Sequence, residues 1–309
     1  MGEEGLSRIF AVMKEKFSSI FKKALASALK MLTLVILGAA CSSALEEGTA
    51  RDTVSFCSAI AVSAIAISDV NAFFTMGIDT LHKLSDFSKV LLPMMCTAAA
   101  SAGAITSAAA KYAATALFMD IIMTIGTNII MPLISLYLGS VIASAALGKD
   151  TLERVSNFLK WGCTTALTLL MTGFTAYLGI SGLVSTKADE FTVKLTKSAM
   201  STMLPVVGGI LSDAAETVVA GAGLIRNLIG VFGFLAVAAL CITPFISLGT
   251  HYLVYKGTAA VSEAISDKRM GRLISGVGAA FGMVLALVGA SGLMLFFSVI
   301  SSMKAVGIA

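Results

Sequence analysis

The residues of this sequence that could do chemistry are polar side chains set inside long apolar stretches. Asp213 and Glu216 are three residues apart, so one face of a helix would carry both carboxyl groups, with Arg226 further along the chain. Three other polar groups each stand alone among apolar neighbours, namely Asp69, Asp120 and Asn128. Because a charge at the centre of a membrane helix costs about 2.5–3.5 kcal/mol, such groups favour a hydrophilic path or an ion-coupled site between helices.

The same residues also have a plainer interpretation. Asp69 and Asp120 would be well solvated if they lay near helix ends, at the level of the lipid headgroups. Asp213 and Glu216 would be well solvated on a loop that water reaches. The sequence alone leaves both interpretations open.

The sequence carries no motif that is typical of an enzyme, a cofactor site or a metal site. It lacks the phosphate-binding loop, the zinc-protease motif and the serine-hydrolase elbow. The two histidines are far apart in sequence, and we expect His82 in a polar loop and His251 at the membrane interface. None of the five cysteines forms a CxxC pair. We therefore predict a protein that is not an enzyme and holds no cofactor or metal.

The elements that must position these residues are membrane-spanning helices. Hydrophobic residues make up 57% of the chain and charged residues 13%, whereas a soluble domain carries about 25% charged residues. About 20 apolar helical residues cross a bilayer core, and the sequence has about seven such stretches: residues 26–45, 54–76, 90–110, 112–147, 161–184, 228–255 and 274–303. The predicted fold class is an all-α, polytopic transmembrane helix bundle.

Two regions depart from a regular apolar helix. The fourth stretch is longer than one ordinary span, and Pro132 in its middle predicts a kink. Residues 203–226 are moderately apolar and contain Pro205, Gly208 and Gly209 besides the charged residues named above. Irregular backbone at membrane depth survives only inside protein or beside water. We therefore predict a broken or re-entrant segment that lines a pore or packs in the interior.

The first residues predict a separate element at the N-terminus. Within residues 1–25, apolar side chains follow the i, i+3, i+4, i+7 spacing of one helical face, and most lysines lie off that face. Such a helix lies in the headgroup layer of a membrane. We therefore divide the chain into an amphipathic interfacial helix at 1–25 and one transmembrane helical domain at 26–309.

Small residues in the last apolar stretch predict close helix packing. Gly278, Gly282 and Gly289 share one helical face with Ala286, a spacing that lets two helix backbones approach each other in lipid. We expect this face to pack against another helix.

The polar connections set the predicted orientation. We interpret the runs at 81–89 and 256–272 as loops, and lysine and arginine are enriched in loops on the cytoplasmic side. With seven crossings, the more basic side is the one that holds the N-terminus, so we predict a cytoplasmic N-terminus and an external C-terminus. This orientation places Arg51 outside and Arg269 inside.

The most distinctive segment is LPVVGGILSDAAETVVAGAGLIRNLIG, at residues 204–230. Its proline–valine–valine–glycine, serine–aspartate–alanine and threonine–valine–valine groups are similar to those of the stage III sporulation protein AE family of spore-forming Firmicutes. Weaker similarities follow in matching order and spacing: LLP at 91–93, SAA at 107–109, PLI at 132–134, YK at 255–256 and DKR at 267–269.

The resemblance implies a role in endospore formation, in the mother-cell membrane that surrounds the forespore. It implies a multiprotein channel, required for late forespore gene expression, whose other members include a secretion-type ATPase and ring-forming subunits. The implied partners are these stage III proteins and the lipid bilayer, with no nucleic acid. The family has no established catalytic residues to carry over. Its members usually begin with a signal sequence and an extracytoplasmic segment, which the first residues here do not predict.

The alternative function is an autonomous secondary transporter or permease of a small solute. Such a protein would show inverted repeats with matching broken helices; breaks are present at Pro132, Pro205 and Pro244, but no sequence repeat accompanies them. An intramembrane enzyme would need a nucleophile beside a base, or metal ligands, within the spans. The leading prediction is a non-enzymatic integral membrane subunit of a transenvelope transport complex.

Overall fold

The computed structural model is helical in the residues that it describes, which confirms the predicted all-α class. It describes the backbone of residues 2–46, 48–101, 105–147, 152–177, 208–266 and 268–304, and the side chains of residues 16–46, 48–97, 109, 112–147, 152–177, 229–266 and 268–300. The helices are α1 (Gly2–Ser43), α2 (Thr49–Ser101), α3 (Ile105–Ile125), α4 (Met131–Leu147), α5 (152–177), α6 (Gly208–Ile265) and α7 (Lys268–Lys304).

Within these residues, five helical stretches are long and apolar enough to cross a membrane. They are Lys16–Ser43, Thr49–Thr97, Tyr112–Leu147, Ile229–Ile265 and Lys268–Ile300. The predicted span at 54–76 lies within the stretch Thr49–Thr97, whereas the predicted span at 90–110 begins in that stretch and its last residues, 105–110, belong to α3. The predicted span at 161–184 corresponds to α5, which is described as far as residue 177. A helical membrane bundle is therefore supported by length and composition.

Helix α2 joins two predicted spans into one continuous helix. The polar run at 81–89, which we expected as a loop, is helical, so that expectation is wrong. The reason is amphipathic spacing: Leu81, Leu84 and Leu91 are buried in the bundle. The exposed side carries Asp79, His82, Lys83, Asp86 and Lys89. At about 1.5 Å per residue this helix is about 80 Å long, so it extends beyond a hydrocarbon core of about 30 Å.

Helices α6 and α7 form a hairpin with almost no loop between them. The run at 256–272, also expected as a loop, instead continues α6 to Ile265 and begins α7 at Lys268. Thr258 and Ser262 donate their hydroxyls to carbonyls four residues earlier, at 2.7 and 2.8 Å. These internal hydrogen bonds allow both polar side chains to be buried against the neighbouring helices.

A π-helical segment, Gly126–Ile130, lies between α3 and α4, just before Pro132, where the sequence predicts a kink. The Met131 N–H donates to the Gly126 carbonyl, one residue further back than in an α-helix. Because proline has no N–H to donate, the backbone before Pro132 has to rearrange its hydrogen bonds. The π segment makes this adjustment within about one turn.

Helix α7 is the central helix of the bundle. In its most apolar stretch 67% of the residues are buried, against 22–33% in the corresponding stretches of the other four helical regions. It packs against α2, α3, α4 and α6. The surrounding helices expose large apolar side chains, including Leu136, Leu169, Phe232 and Leu253. Such outward apolar faces are suited to lipid.

The α1–α2 turn and the α6–α7 turn lie at the same end of the bundle. Arg51 and Ser55, at the start of α2, line a cavity together with Arg269, at the start of α7. The predicted placement of Arg51 and Arg269 on opposite sides of the membrane is therefore wrong, while the cytoplasmic N-terminus stays a prediction. The physical reason is that α2 continues through residues 81–89, which the prediction treats as a loop between two crossings.

Helix α1 runs without interruption from Gly2 to Ser43, across the predicted boundary between residues 25 and 26. The division into an interfacial helix and a transmembrane domain stays a prediction. Helix α6 is continuous from Gly208 onward, so the described part of the predicted broken segment has no interruption. Residues 203–207 lie outside the described part of the chain.

Candidate functional site

A hydrogen bond between α6 and α2 lies at the centre of the buried polar site. The Tyr255 hydroxyl donates to Oδ2 of Asp69 at 2.7 Å. Tyr255 is fully buried, and Asp69 is half-buried. A hydrogen bond to a charged group contributes about 1.5–3 kcal/mol, which is similar in size to the cost of placing an aspartate within an apolar helix.

Aromatic rings pack around Tyr255. Phe281 of α7 makes edge-to-face contacts with Tyr255 and Phe73, with ring centroids 4.9 Å apart in both pairs. The His251 ring lies 4.3 Å from that of Phe73. We refer to Asp69, Phe73, His251, Tyr255 and Phe281 as the Tyr255 cluster. Three helices, α2, α6 and α7, therefore meet at one polar and aromatic site.

His251 is held by its own helix. Its Nδ1 lies 2.8 Å from the Ser247 carbonyl oxygen, and since a carbonyl only accepts, Nδ1 carries the hydrogen. Asp69 acts on the His251 ring electrostatically. The structure places His251 between helices, with 5% of its surface exposed, and its depth in the membrane stays a prediction. Among the described residues, no three His, Cys, Asp or Glu side chains lie close enough to hold a metal ion.

Asp120 and Asn128, the other predicted intramembrane polar residues, lie apart from the Tyr255 cluster. Asp120 is exposed on α3, and Asn128 is exposed in the π segment. Thr127 donates its hydroxyl to Oδ1 of Asn128 at 3.4 Å. Of the three predicted residues, Asp69 is therefore the one that joins the buried site.

The glycines that we expected to pack against another helix lie against α6. A Cβ added at any of the three would lie 3.1–3.2 Å from a side-chain atom of that helix. The facing pairs are Gly278 with Tyr255, Gly282 with Tyr252 and Gly289 with Phe245. Ala286, on the same predicted face, is exposed. Gly278 thus brings the α7 backbone close to the residue that binds Asp69.

The candidate pore or packing segment contributes no described side chain to this geometry. Pro205 lies outside the described residues. The α6 side chains are described from residue 229 onward, and the segment's other predicted residues precede that point: Gly208, Gly209, Asp213, Glu216 and Arg226. Their functional role stays a prediction.

A second polar site is a cavity of about 200 Å³ between α4, α5, α6 and α7, near the α6–α7 turn. The charged residues that line it are Lys160, Lys256, Arg269, Arg272, Glu153 and Glu263. Arg272 of α7 and Glu153 of α5 form an ion pair. Lys256 donates to the Ser275 hydroxyl at 2.7 Å. We refer to this site as the ionic cavity.

Sequence reasoning missed both Tyr255 and the ionic cavity. A buried tyrosine hydroxyl needs a hydrogen-bond partner, so Tyr255, in an apolar stretch, could have been matched with Asp69 in another. The ionic cavity has no comparable signal in the sequence. Glu153 lies between two predicted spans, and Lys256 and Arg269 lie in the run 256–272, which we interpreted as a loop. The described parts of the two sites contain side chains that join helices and, in the ionic cavity, charged groups of both signs.

Comparison with known proteins identifies the family. The family model for stage III sporulation protein AE matches residues 2–306. The stage III sporulation protein AE of Bacillus subtilis (strain 168) is 23% identical over 259 residues, which cover 82% of this chain and 65% of that relative, so the chain spans just under two-thirds of its length. No solved structure matches the chain. Since the family model covers nearly all of the sequence, this protein belongs to the stage III sporulation protein AE family.

Proposed function

We propose that this protein is a non-enzymatic, integral membrane subunit of a channel complex that links the mother cell and the forespore. The observation that carries the proposal is the family match over residues 2–306, which assigns the chain to a sporulation family. The helix bundle adds physical support, because apolar faces surround a buried central helix. Such a bundle is suited to being the membrane base of a larger assembly.

In this proposal the chain lies in the mother-cell membrane around the forespore and crosses it several times. Its partners are other stage III sporulation membrane proteins, including a secretion-type ATPase and ring-forming subunits. The complex supports late gene expression in the forespore. Helix α2 offers a surface for such partners, because its exposed stripe of polar residues between Asp79 and Lys89 lies on a helix longer than the bilayer core is thick.

Co-purification from sporulating cells tests the proposal. The affinity-tagged chain is extracted from the membranes in a mild detergent, and the proteins that accompany it are identified by mass spectrometry. We expect a secretion-type ATPase and ring-forming proteins in the preparation. The control is the same tagged chain produced in vegetative cells, where we expect it to be purified without these partners.

Two results would contradict the proposal. A stable chain that is recovered alone from sporulating cells would contradict the channel proposal and favour the autonomous transporter. Normal late forespore gene expression in cells that lack the protein would contradict the proposed role, whatever the partners.

A further inference from the structure

The ionic cavity holds more positive charge than its own carboxyl groups balance. It has four basic and two acidic side chains, which gives a net charge of +2. Arg272 and Glu153 are already paired. Lys256 is attracted by Glu263 and repelled by Lys160. Because unbalanced like charges repel each other, an anion between them would stabilise this arrangement.

The rest of the lining suits a small oxyanion. Ser144, Ser156, Asn157 and Ser275 add hydroxyl and amide groups to the cavity wall. Its volume of about 200 Å³ equals that of about six or seven water molecules, at about 30 Å³ each. Ammonium and guanidinium groups around such a space match the chemistry of a phosphate ester.

Helix α5 also carries exposed apolar side chains outside the face that lines the cavity, and Trp161, four residues after Asn157, is the one that adjoins that face. The lining residues follow the i, i+3, i+4, i+7 spacing: Glu153, Ser156, Asn157 and Lys160. Around the helix from them, Val155, Phe158 and Trp161 are exposed, the two aromatic residues by 67% and 60%. The Phe158 and Trp161 ring centroids are 5.9 Å apart.

The exposed tryptophan of α5 indicates where the cavity lies relative to the membrane. Tryptophan is enriched at the headgroup level of membrane proteins, and Trp161 is the one tryptophan in the sequence. Lys160 lines the cavity directly beside it in the chain. A phosphate in the cavity would thus be at headgroup depth, while acyl chains attached to it would lie along the exposed apolar side chains.

We propose that the ionic cavity binds the phosphate group of an anionic phospholipid, with Lys160, Lys256 and Arg269 as its ligands. The acyl chains contact α5 at Phe158 and Trp161. Free phosphate offers the same anion chemistry but makes no use of these exposed aromatic side chains. The inference concerns lipid recognition by this chain alone, so it stands independently of the proposed channel complex.

Lipid retention by the purified full chain tests the proposal. The detergent-solubilised protein is titrated with phosphatidylglycerol or phosphatidylcholine, and bound lipid is counted by native mass spectrometry. We expect preferential binding of phosphatidylglycerol. Lys160→Gln should weaken this binding about fivefold, and Lys160→Gln with Arg269→Gln about 25-fold, because each basic residue near the headgroup adds a similar attraction.

The matched control is Lys83→Gln. Lys83 is exposed on α2 and is not among the cavity residues, so phosphatidylglycerol binding should be unchanged. Lys160 is exposed as well, and we expect both single variants to keep the thermal unfolding temperature of the parent chain. Inorganic phosphate, added in a separate titration, distinguishes the lipid from a soluble anion.

Three outcomes would overturn the proposal. One is equal retention of phosphatidylglycerol and phosphatidylcholine by the parent chain. Another is an equal effect of Lys160→Gln and Lys83→Gln on lipid binding. The third is saturable binding of inorganic phosphate that Lys160→Gln abolishes while phosphatidylglycerol binding is unaffected, which would assign the cavity to a soluble anion.

Discussion

Tyr255 connects three helices through a single side chain. Its hydroxyl binds Asp69 of α2, its ring packs on Phe281 of α7, and its Cβ faces Gly278. The aspartate is thereby kept within the bundle with a hydrogen-bond donor. At the scale of single residues, this contact is the clearest case of a polar group that contributes to the assembly of the helices.

Tyr255→Phe removes the hydroxyl and leaves the ring in place. Because the lost hydrogen bond joins a buried donor to an acidic side chain, we expect the free energy of unfolding to fall by about 1.5–3 kcal/mol. The measurement is denaturant unfolding in detergent, followed by circular dichroism. Tyr112→Phe is the control, since Tyr112 is 39% exposed; an equal effect of the two substitutions would contradict the importance of the Asp69 contact.

The sequence was sufficient to single out Asp69 but not to find its partner. A lone aspartate among apolar residues is visible from local composition. The partner lies 186 residues away, and the pairing depends on how α2 and α6 lie beside each other, which no local spacing records. The same holds for the ionic cavity, whose charged residues come from three helices and were interpreted one by one as parts of connections.

At the scale of helices, the contact between α6 and α7 depends on small residues. A Cβ at Gly282 would lie 3.1 Å from the Tyr252 ring, whereas Gly257 has open space around it. Both glycines lie within helices, so the two positions differ mainly in the space available to an added side chain. A larger side chain should therefore be destabilising at Gly282 and tolerated at Gly257.

Gly282→Leu should destabilise the folded chain by about 1–3 kcal/mol, because the added side chain overpacks the α6–α7 contact. Gly257→Leu should be tolerated. The amount of monodisperse protein in detergent, measured by size-exclusion chromatography after matched expression, distinguishes the two. Similar yields for both variants would show that α7 does not need a small residue at this contact.

In the long helix α2, a locally polar stretch is helical although its charges predict a loop. Residues 81–89 contain several charged side chains, yet Leu81 and Leu84 are buried while the charges are on the opposite side. A helix continues through such a stretch because one face still buries apolar surface. Counting charges predicts a loop here, whereas following the helical period across the stretch predicts a helix.

At the scale of the whole molecule, composition alone predicted a helical membrane bundle. Backbone polar groups in lipid must be paired within helices, so a chain this apolar has few other folds open to it. The arrangement of the helices did not follow in the same way. A loop predicted at 81–89, where α2 is continuous, adds a crossing to the prediction, and Arg269 is then expected on the opposite side from Arg51.

The arrangement of the whole molecule is defined by the features that share one end of the bundle. The α1–α2 turn, the α6–α7 turn and the ionic cavity all lie there, linked by cavities that Arg51, Arg269 and Arg272 line. Both the lipid proposal and any model of how partners dock depend on this end facing one side of the membrane.

Site-directed thiol labelling shows whether the α1–α2 turn and the α6–α7 turn face the same side of the membrane. In a chain whose five native cysteines are replaced, single cysteines are introduced as Glu46→Cys, Ser266→Cys and Thr97→Cys, and a membrane-impermeant maleimide is added to intact and to permeabilised protoplasts. We predict that the cysteines at 46 and 266 react from the same side of the membrane and that the one at 97, near the far end of α2, reacts from the other. Labelling of 46 and 266 from opposite sides would contradict the account.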